Sequence, residues 1–399
     1  MITLPCRLFL LFQALVLVLA AATCNAAKHH KDGGVIAYVV DWDLPSKIAW
    51  NKLDQVIYSF AEPEKNGKLS GFDESQLKSV VKEGHKHDTL VSLAVGGWTG
   101  SLYFSDLAKT EKSRQKFAKN IAKLVKKYDL DGVNLDWEYP NSPNGVACNA
   151  NDPHDTANYL KLIQTLRQVL PKKTLITAAV GTTPFNDENQ QPSTHLDKNW
   201  AKAIDGIYIM GYDINGIWNT QAGANAPLRA NAKAAGIDTA SVDSAVKAWT
   251  AAGIPSEKLV LGVPFYGRIG QTTGKAHGLY GKLDTSDGQI RGDQYDSKEK
   301  DPCPNAKASY SGQYEWRSIA KEGIARNESG WNTVWDSISQ TPVAVKGSKF
   351  ITFDDAHSLH AKAQYAKKQK LSGVMLWSLE MDDAHNTLLN ALQGVRSKH

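Results

Sequence analysis

Residues 131 to 140 read Asp-Gly-Val-Asn-Leu-Asp-Trp-Glu-Tyr-Pro, a segment rich in groups that can move protons. Along a strand side chains alternate, so Asn134, Asp136 and Glu138 project to one face and Val133, Leu135 and Trp137 to the other. At about 3.3 Å rise per residue, Asp136 and Glu138 stand roughly 6–7 Å apart at Cβ. Neighbouring carboxylates disfavour each other's ionised form, which makes Glu138 a candidate neutral acid. Asp131 and Asn134 belong to the same segment as supporting groups. A solvated face of an antiparallel sheet would show the same alternation without chemistry. Two acids and an amide beside Leu135 and Trp137, closed by Tyr139 and Pro140, favour an active site.

Eight β-rich apolar stretches recur along the chain: Val35 to Asp41, Gln55 to Ala61, Leu90 to Gly96, Gly132 to Glu138, Leu175 to Gly181, Gly206 to Tyr212, Leu259 to Pro264 and Gly373 to Leu379. Helical periodicity separates most of them, as in Thr110 to Tyr128, where Phe117, Ile121, Leu124 and Val125 share a stripe. Asp155 to Leu170 does the same with Tyr159, Leu162, Ile163 and Leu166. Such alternation predicts an α/β fold, a parallel (β/α)8 TIM barrel. Only Arg268 to Phe350 is too long for one crossover helix, and it predicts a small α+β insertion subdomain over about 269–349. Trp42, Trp98, Glu138, Tyr212, Asp213, Tyr266 and Trp377 collect at strand ends, where barrel enzymes place their sites.

The first 27 residues hold a single charge, Arg7, then an apolar run from Leu8 to Ala22 and small residues before Lys28. This pattern predicts a secretory signal over 1–27, because the run is shorter than the ~20 residues that span a membrane. A secreted, extracellular protein that does not remain in a membrane is expected. Cys6 and Cys24 would leave with the leader, so Cys148 and Cys303 are the candidates to pair in an oxidising compartment. They lack zinc-type spacing, and neither metal nor cofactor is implied. Asn327-Glu328-Ser329 is a glycosylation sequon. With 46 basic and 41 acidic residues and no long basic run, nucleic acid is not implied. A monomer is expected.

Several separate motifs resemble glycoside hydrolase family 18 chitinases, over about Val35 to Asp383. Asp131-Gly-Val-Asn-Leu-Asp-Trp-Glu resembles that family's fourth-strand signature, Val95-Gly96-Gly97-Trp98 its third, Met210-Gly-Tyr-Asp213 its sixth and Gly373-Val-Met-Leu-Trp377 its eighth. Ala226-Pro227-Leu228 and Gly262-Val-Pro-Phe-Tyr-Gly267-Arg268 fit as well. The insertion is similar to the subgroup with a deep, tunnel-like groove.

The resemblance implies hydrolysis of β-1,4-linked N-acetylglucosamine, in chitin or chitooligosaccharides, by endo action. Configuration is retained because the substrate's own 2-acetamido oxygen attacks the anomeric carbon, an exception to the two-carboxylate scheme. Glu138 would be the general acid and base, Asp136 would hold the acetamido N–H, and Tyr212 would position the acetamide oxygen. Asp213 would hydrogen-bond the distorted sugar, Trp377 would form its floor, and Trp98 and Trp218 would stack on sugars to the leaving-group side. By the same matching Tyr38, Gly97, Met210, Tyr266 and Arg268 line the groove. Trp137, on the opposite face of the strand, is assigned to the core. Asp213 as a helix cap and Tyr38 as packing remain open on the residues alone.

Two positions depart from the family pattern: Asn134 stands where an aspartate is common and Ala94 where a serine usually precedes the paired glycines. In the family those groups touch, so the two departures read as one coordinated change. Two other functions remain open. One is a chitin-binding lectin that keeps the groove without the chemistry; the other is an endo-β-N-acetylglucosaminidase acting on N-linked glycans. The presence of Glu138, Asp136 and Tyr212 favours an enzyme, and the long insertion with eleven tryptophans in the chain favours a linear polymer.

Overall fold

The computed structural model describes residues 34–396 apart from 232, 235 and 274–277. The leader, with Cys6 and Cys24, lies outside the described residues. Eight strands form the barrel: β1 Gly34–Val40, β2 Gln55–Pro63, β3 Leu90–Gly96, β4 Gly132–Asp136, β5 Leu175–Val180, β6 Gly206–Ile209, β7 Leu259–Pro264 and β8 Gly373–Trp377. Each is parallel to its neighbours, and β1 closes the ring by pairing with both β2 and β8. Every strand of the expected barrel is present, but five of the eight end one to three residues short of the apolar stretch that marks them. The ladder stops where loop and side-chain partners take over the main chain, and that rim is where the polar residues gather.

Helices α1 Glu74–Lys86, α2 Glu111–Tyr128, α3 Asp155–Val169, α4 Val242–Ala251 and α5 Ala356–Lys368 pack outside. The starts of α1, α2, α4 and α5 are fixed by side chains that accept from orphan backbone N–H groups. Asp73 accepts from Ser75 and Gln76, while Thr110, Ser241 and Asp355 form reciprocal capping boxes with Ser113, Ser244 and Ser358. Phe117 and Ile121 of α2 and Tyr159, Leu162, Ile163 and Leu166 of α3 are buried as their stripes require. Trp137 is 1% exposed and stacks on Phe104, with its edge against Tyr159. It therefore belongs to the layer between barrel and helices.

Between β7 and β8 lies a five-stranded antiparallel sheet made of Tyr266–Gln271, Gln313–Glu315, Asn332–Asp336, Thr341–Lys346 and Lys349–Thr352, followed along the second strand by helix Trp316–Lys321. Only Phe265 separates β7 from its first strand, so Tyr266 and Arg268 stand at the junction of barrel and sheet. Cys148, beyond β4, is disulfide-bonded to Cys303 in this segment, with 5.6 Å between Cα atoms. Among the described residues no helix is long and apolar enough to cross a membrane.

Where the chain leaves the inserted sheet for α5, Asp354 and Lys362 form an ion pair at 2.6 Å with both side chains essentially inaccessible. Ser358 also donates to Asp354. Burial pushes the carboxyl up and the ammonium down, and each group's charge opposes that shift in the other. Removing one partner leaves an uncompensated buried charge, which costs about 3–5 kcal/mol. Lys362→Met should lower the chemical-denaturation free energy by that amount, and a loss under about 1 kcal/mol would show that the pair contributes little.

Candidate active site

Asp136 is the last residue of β4, and Glu138 lies two residues beyond the ladder. The expected strand through Glu138 is thus shortened, for a visible reason. Ser101, fully buried, accepts from the Glu138 N–H at 2.8 Å, and Asn149 Nδ2 donates to the Glu138 carbonyl at 2.8 Å. Both main-chain groups that would continue the ladder are taken by side chains, so the chain bends away while the Glu138 side chain keeps one face to solvent. Ser101 also donates to the carbonyls of Gly97 and Asp136, and Gly97 N–H bonds the Asp136 carbonyl at 2.9 Å. A Cβ on Gly96, at φ +113°, would sit 2.2 Å from that same carbonyl. The close approach of β3 to β4 therefore demands glycine there.

Inside the barrel a polar column runs up to the acids. Tyr208 OH donates to Gln55, which donates to Ser92. Above them Tyr38 OH donates to Asn134 Oδ1 at 2.7 Å, and Asn134 Nδ2 donates to Thr177 Oγ1 at 2.9 Å. Ala94 is the register partner of Asn134 and is fully buried. Asp136, 4% exposed, has no charged partner among the described residues; burial pushes its carboxyl up to about 7. Its Oδ1 has no hydrogen-bond partner among the described residues. Burial and then the Asp136 charge hold Glu138 well above the usual carboxylate range, opposed by a hydrogen bond from Tyr139. The same environment keeps Tyr38 and Tyr212 as protonated phenols, able to donate.

Asp131 stands at the other end of β4, where it accepts from Val91 N–H and contacts His85. It is a strut of the barrel and does not come to the acids. Tyr38, Phe60 and Trp377 pack ring to ring at 5.4 and 5.5 Å beneath the acids' end of the barrel, and Met210 and Tyr212 join this inner cluster. Asp213 does not cap a helix. It adopts φ +53°, receives a hydrogen bond from Arg268 Nε at 2.8 Å, and takes its backbone orientation from Asn225. Arg268 lies over the Tyr266 ring, 5.0 Å from its centroid, and Tyr266 meets Tyr212 edge-on. Trp98 and Trp218 are 43% and 63% exposed, the behaviour of platforms and not of core residues. Trp98 Nε1 donates to Asp301 of the inserted segment at 2.8 Å. A surface cleft of about 640 Å³ is lined in part by Glu62, Thr99, Tyr103 and Pro302, and not by the carboxylates. Among the described residues no group of three or more His, Cys, Asp or Glu is placed to hold a metal ion.

Sequence reading missed Ser101, Asn149 and Asp301, and it gave Tyr139 no role beyond closing the motif. Only two carried a signal: Asn149 follows Cys148, and Asp301 precedes Cys303 by two residues.

The sequence and fold were compared with known proteins. The family model for glycosyl hydrolases family 18 matches residues 34–382. A "chitinase-like effector" of Moniliophthora roreri is 35% identical over 96% of this chain and 98% of its own length. Chitinase A1 of Niallia circulans is 35% identical over 80% of this chain and 44% of its own. The crystal structure of a chitinase from Rhizomucor miehei superposes with a TM-score of 0.90 at 63% identity, covering 91% of this chain and all of that one. With an eight-stranded barrel, the motifs on its third, fourth, sixth and eighth strands, and a family match across nearly all described residues, the chain belongs to glycosyl hydrolases family 18.

Proposed function

We propose that the protein is a secreted chitinase that cleaves β-1,4-linked N-acetylglucosamine chains with retention of configuration. The observation that carries this reading is the pairing of a high-pKa acid, Glu138, with a buried carboxylate oxygen, Asp136 Oδ1, that no described residue satisfies. Buried acceptors are nearly always paired, and an acetamido N–H is a donor suited to this one. Glu138 delivers its proton to the glycosidic oxygen as the acetamide oxygen attacks the anomeric carbon. Asp136 stabilises the oxazolinium-like cation, and Tyr212, a protonated phenol, donates to the acetamide oxygen. Water then opens the ring and returns its proton to Glu138. Trp377 and Phe60 form the floor, and Trp98 and Trp218 carry the sugars on the leaving-group side.

Two relatives bear the name "chitinase-like effector", and with Asn134 and Ala94 this favours a second reading, chitin binding without turnover. A third, an endo-β-N-acetylglucosaminidase, is tested by offering a glycoprotein and chitin oligosaccharides side by side; only the oligosaccharides should be cut.

Product release from chitin oligosaccharides followed by NMR should give the β-anomer first, and Glu138→Gln should slow it by about 10²–10⁴-fold. If neither protein releases product while both bind the oligosaccharide, the non-catalytic reading wins. The pH profile supplies a second check. Burial pushes the Asp136 carboxyl up to about 7, and burial with the Asp136 charge holds Glu138 well above the usual carboxylate range, so kcat/KM should rise as Asp136 loses its proton and fall as Glu138 loses its own. A carboxylate at position 134 adds negative charge beside both acids and raises both pKa values. Asn134→Asp should therefore move both limbs upward by about half to one pH unit and raise turnover several-fold. An unchanged profile would remove Asn134 from the electrostatics of the site.

A further inference from the structure

The Cys148–Cys303 bond joins two segments that each hold part of the site. On one side Asn149, next to Cys148, donates to the Glu138 carbonyl. The turn before it is packed so tightly that a Cβ on Gly145, at φ +110°, would lie 2.4 Å from that carbonyl. Ala150 N–H then ties the segment to Leu102, one residue after Ser101. On the other side Asp301, two residues before Cys303, accepts from the Trp98 indole, and Pro302 lines a surface cleft together with Thr99, the residue after Trp98. The pairing spans 155 residues, and Cys148 is exposed at the surface. Among the described residues, no hydrogen bond or ion pair of 145–150 reaches 301–303 except Cys148 N–H to Cys303 Sγ at 3.1 Å.

We propose that the disulfide is a positioning strap: it holds Asn149 against the general acid's backbone and Asp301 against Trp98, so that one covalent link sets both the acid and the leaving-group sugar platform. The inference rests on the reading of Glu138 and Trp98 given above. Its consequence is sensitivity to a thiol-reducing environment at an accessible bond remote from the barrel core. With a phosphine reductant the S–S bond breaks, two thiols form, and the phosphine leaves as its oxide with oxygen taken from water.

The test compares the oxidised protein with the same protein reduced by a water-soluble phosphine and capped with iodoacetamide. Chitotetraose turnover is measured, together with equilibrium binding by tryptophan fluorescence and far-UV circular dichroism. Reduction should weaken binding about three- to ten-fold and lower kcat about two- to five-fold, with the dichroism unchanged. In the oxidised protein Asp301→Ala should reproduce the binding loss with kcat retained, and Asn149→Ala the kcat loss with binding retained. A staple that merely stabilised the fold would not divide in this way. Binding and kcat within two-fold after reduction would overturn the proposal, as would effects that appear only with loss of the dichroism signal. Absence of turnover in the oxidised protein would sink the chitinase reading, and the oxidised-to-reduced ratio of binding constants would still decide this one.

Discussion

The structure is organised around one carboxylate held where water does not reach it. Asp136 sits at the end of β4, almost fully buried and, among the described residues, without a counter-ion. A charge in such a place is costly, and the cost appears as a carboxyl that ionises near neutrality. Everything above it inherits that constraint. Glu138 keeps its proton because it is desolvated and then because the Asp136 charge opposes a second one, and burial, reinforced by the two acids, keeps Tyr38 and Tyr212 protonated. A parallel barrel suits this arrangement: its strands deliver side chains to a single closed rim, and its interior is dry and densely packed.

Geometry at that rim comes from the backbone of neighbours and not from the acids themselves. The last strand-to-strand contact of β3 with β4 runs through Gly96 and Gly97, whose lack of side chains allows the close approach. Immediately beyond it Ser101 and Asn149 replace the ladder with side-chain hydrogen bonds. Glu138 is therefore fixed at both its N–H and its carbonyl while its carboxyl remains free to act. The inserted segment contributes through Arg268, on the first strand of its sheet, which orients Asp213, and through Asp301, outside the sheet, which orients Trp98.

The barrel was legible because each strand is an apolar run too short for a helix, and because the stripes of α2 and α3 repeat with helical period. Trp137 could be assigned to the core from alternation alone, since a strand places it opposite Asp136. Strand ends were not legible: the apolar run past Asp136 looks continuous, while the ladder is ended by Ser101 and Asn149, partners 37 and 11 residues from Glu138. Asp213 was ambiguous for a related reason, its role depending on Arg268, 55 residues away. Small polar residues carry no periodic signal, so their functions emerge only once the chain is folded. Asp131 misled in the opposite sense, because membership of a motif says nothing about which end of the strand a residue occupies.

Asn134 and Ala94 show how a departure from a pattern can be physically complete. The amide at 134 accepts from Tyr38 through oxygen and donates to Thr177 through nitrogen, so both ends of this buried group are satisfied. An aspartate would accept from Tyr38 equally well but could not donate to Thr177, whose hydroxyl would have to turn from the Val133 carbonyl to serve it. A serine at 94 would add a hydroxyl beside a fully bonded amide, in register with it across the β3–β4 ladder. The alanine there leaves no buried hydroxyl in need of a partner, which costs less than an orphaned one. The neutral pair is thus self-consistent, and it removes one negative charge from a barrel that already holds Asp136 and Glu138. What the change alters is the electrostatic setting of the acids, while the hydrogen-bond framework that holds them remains closed.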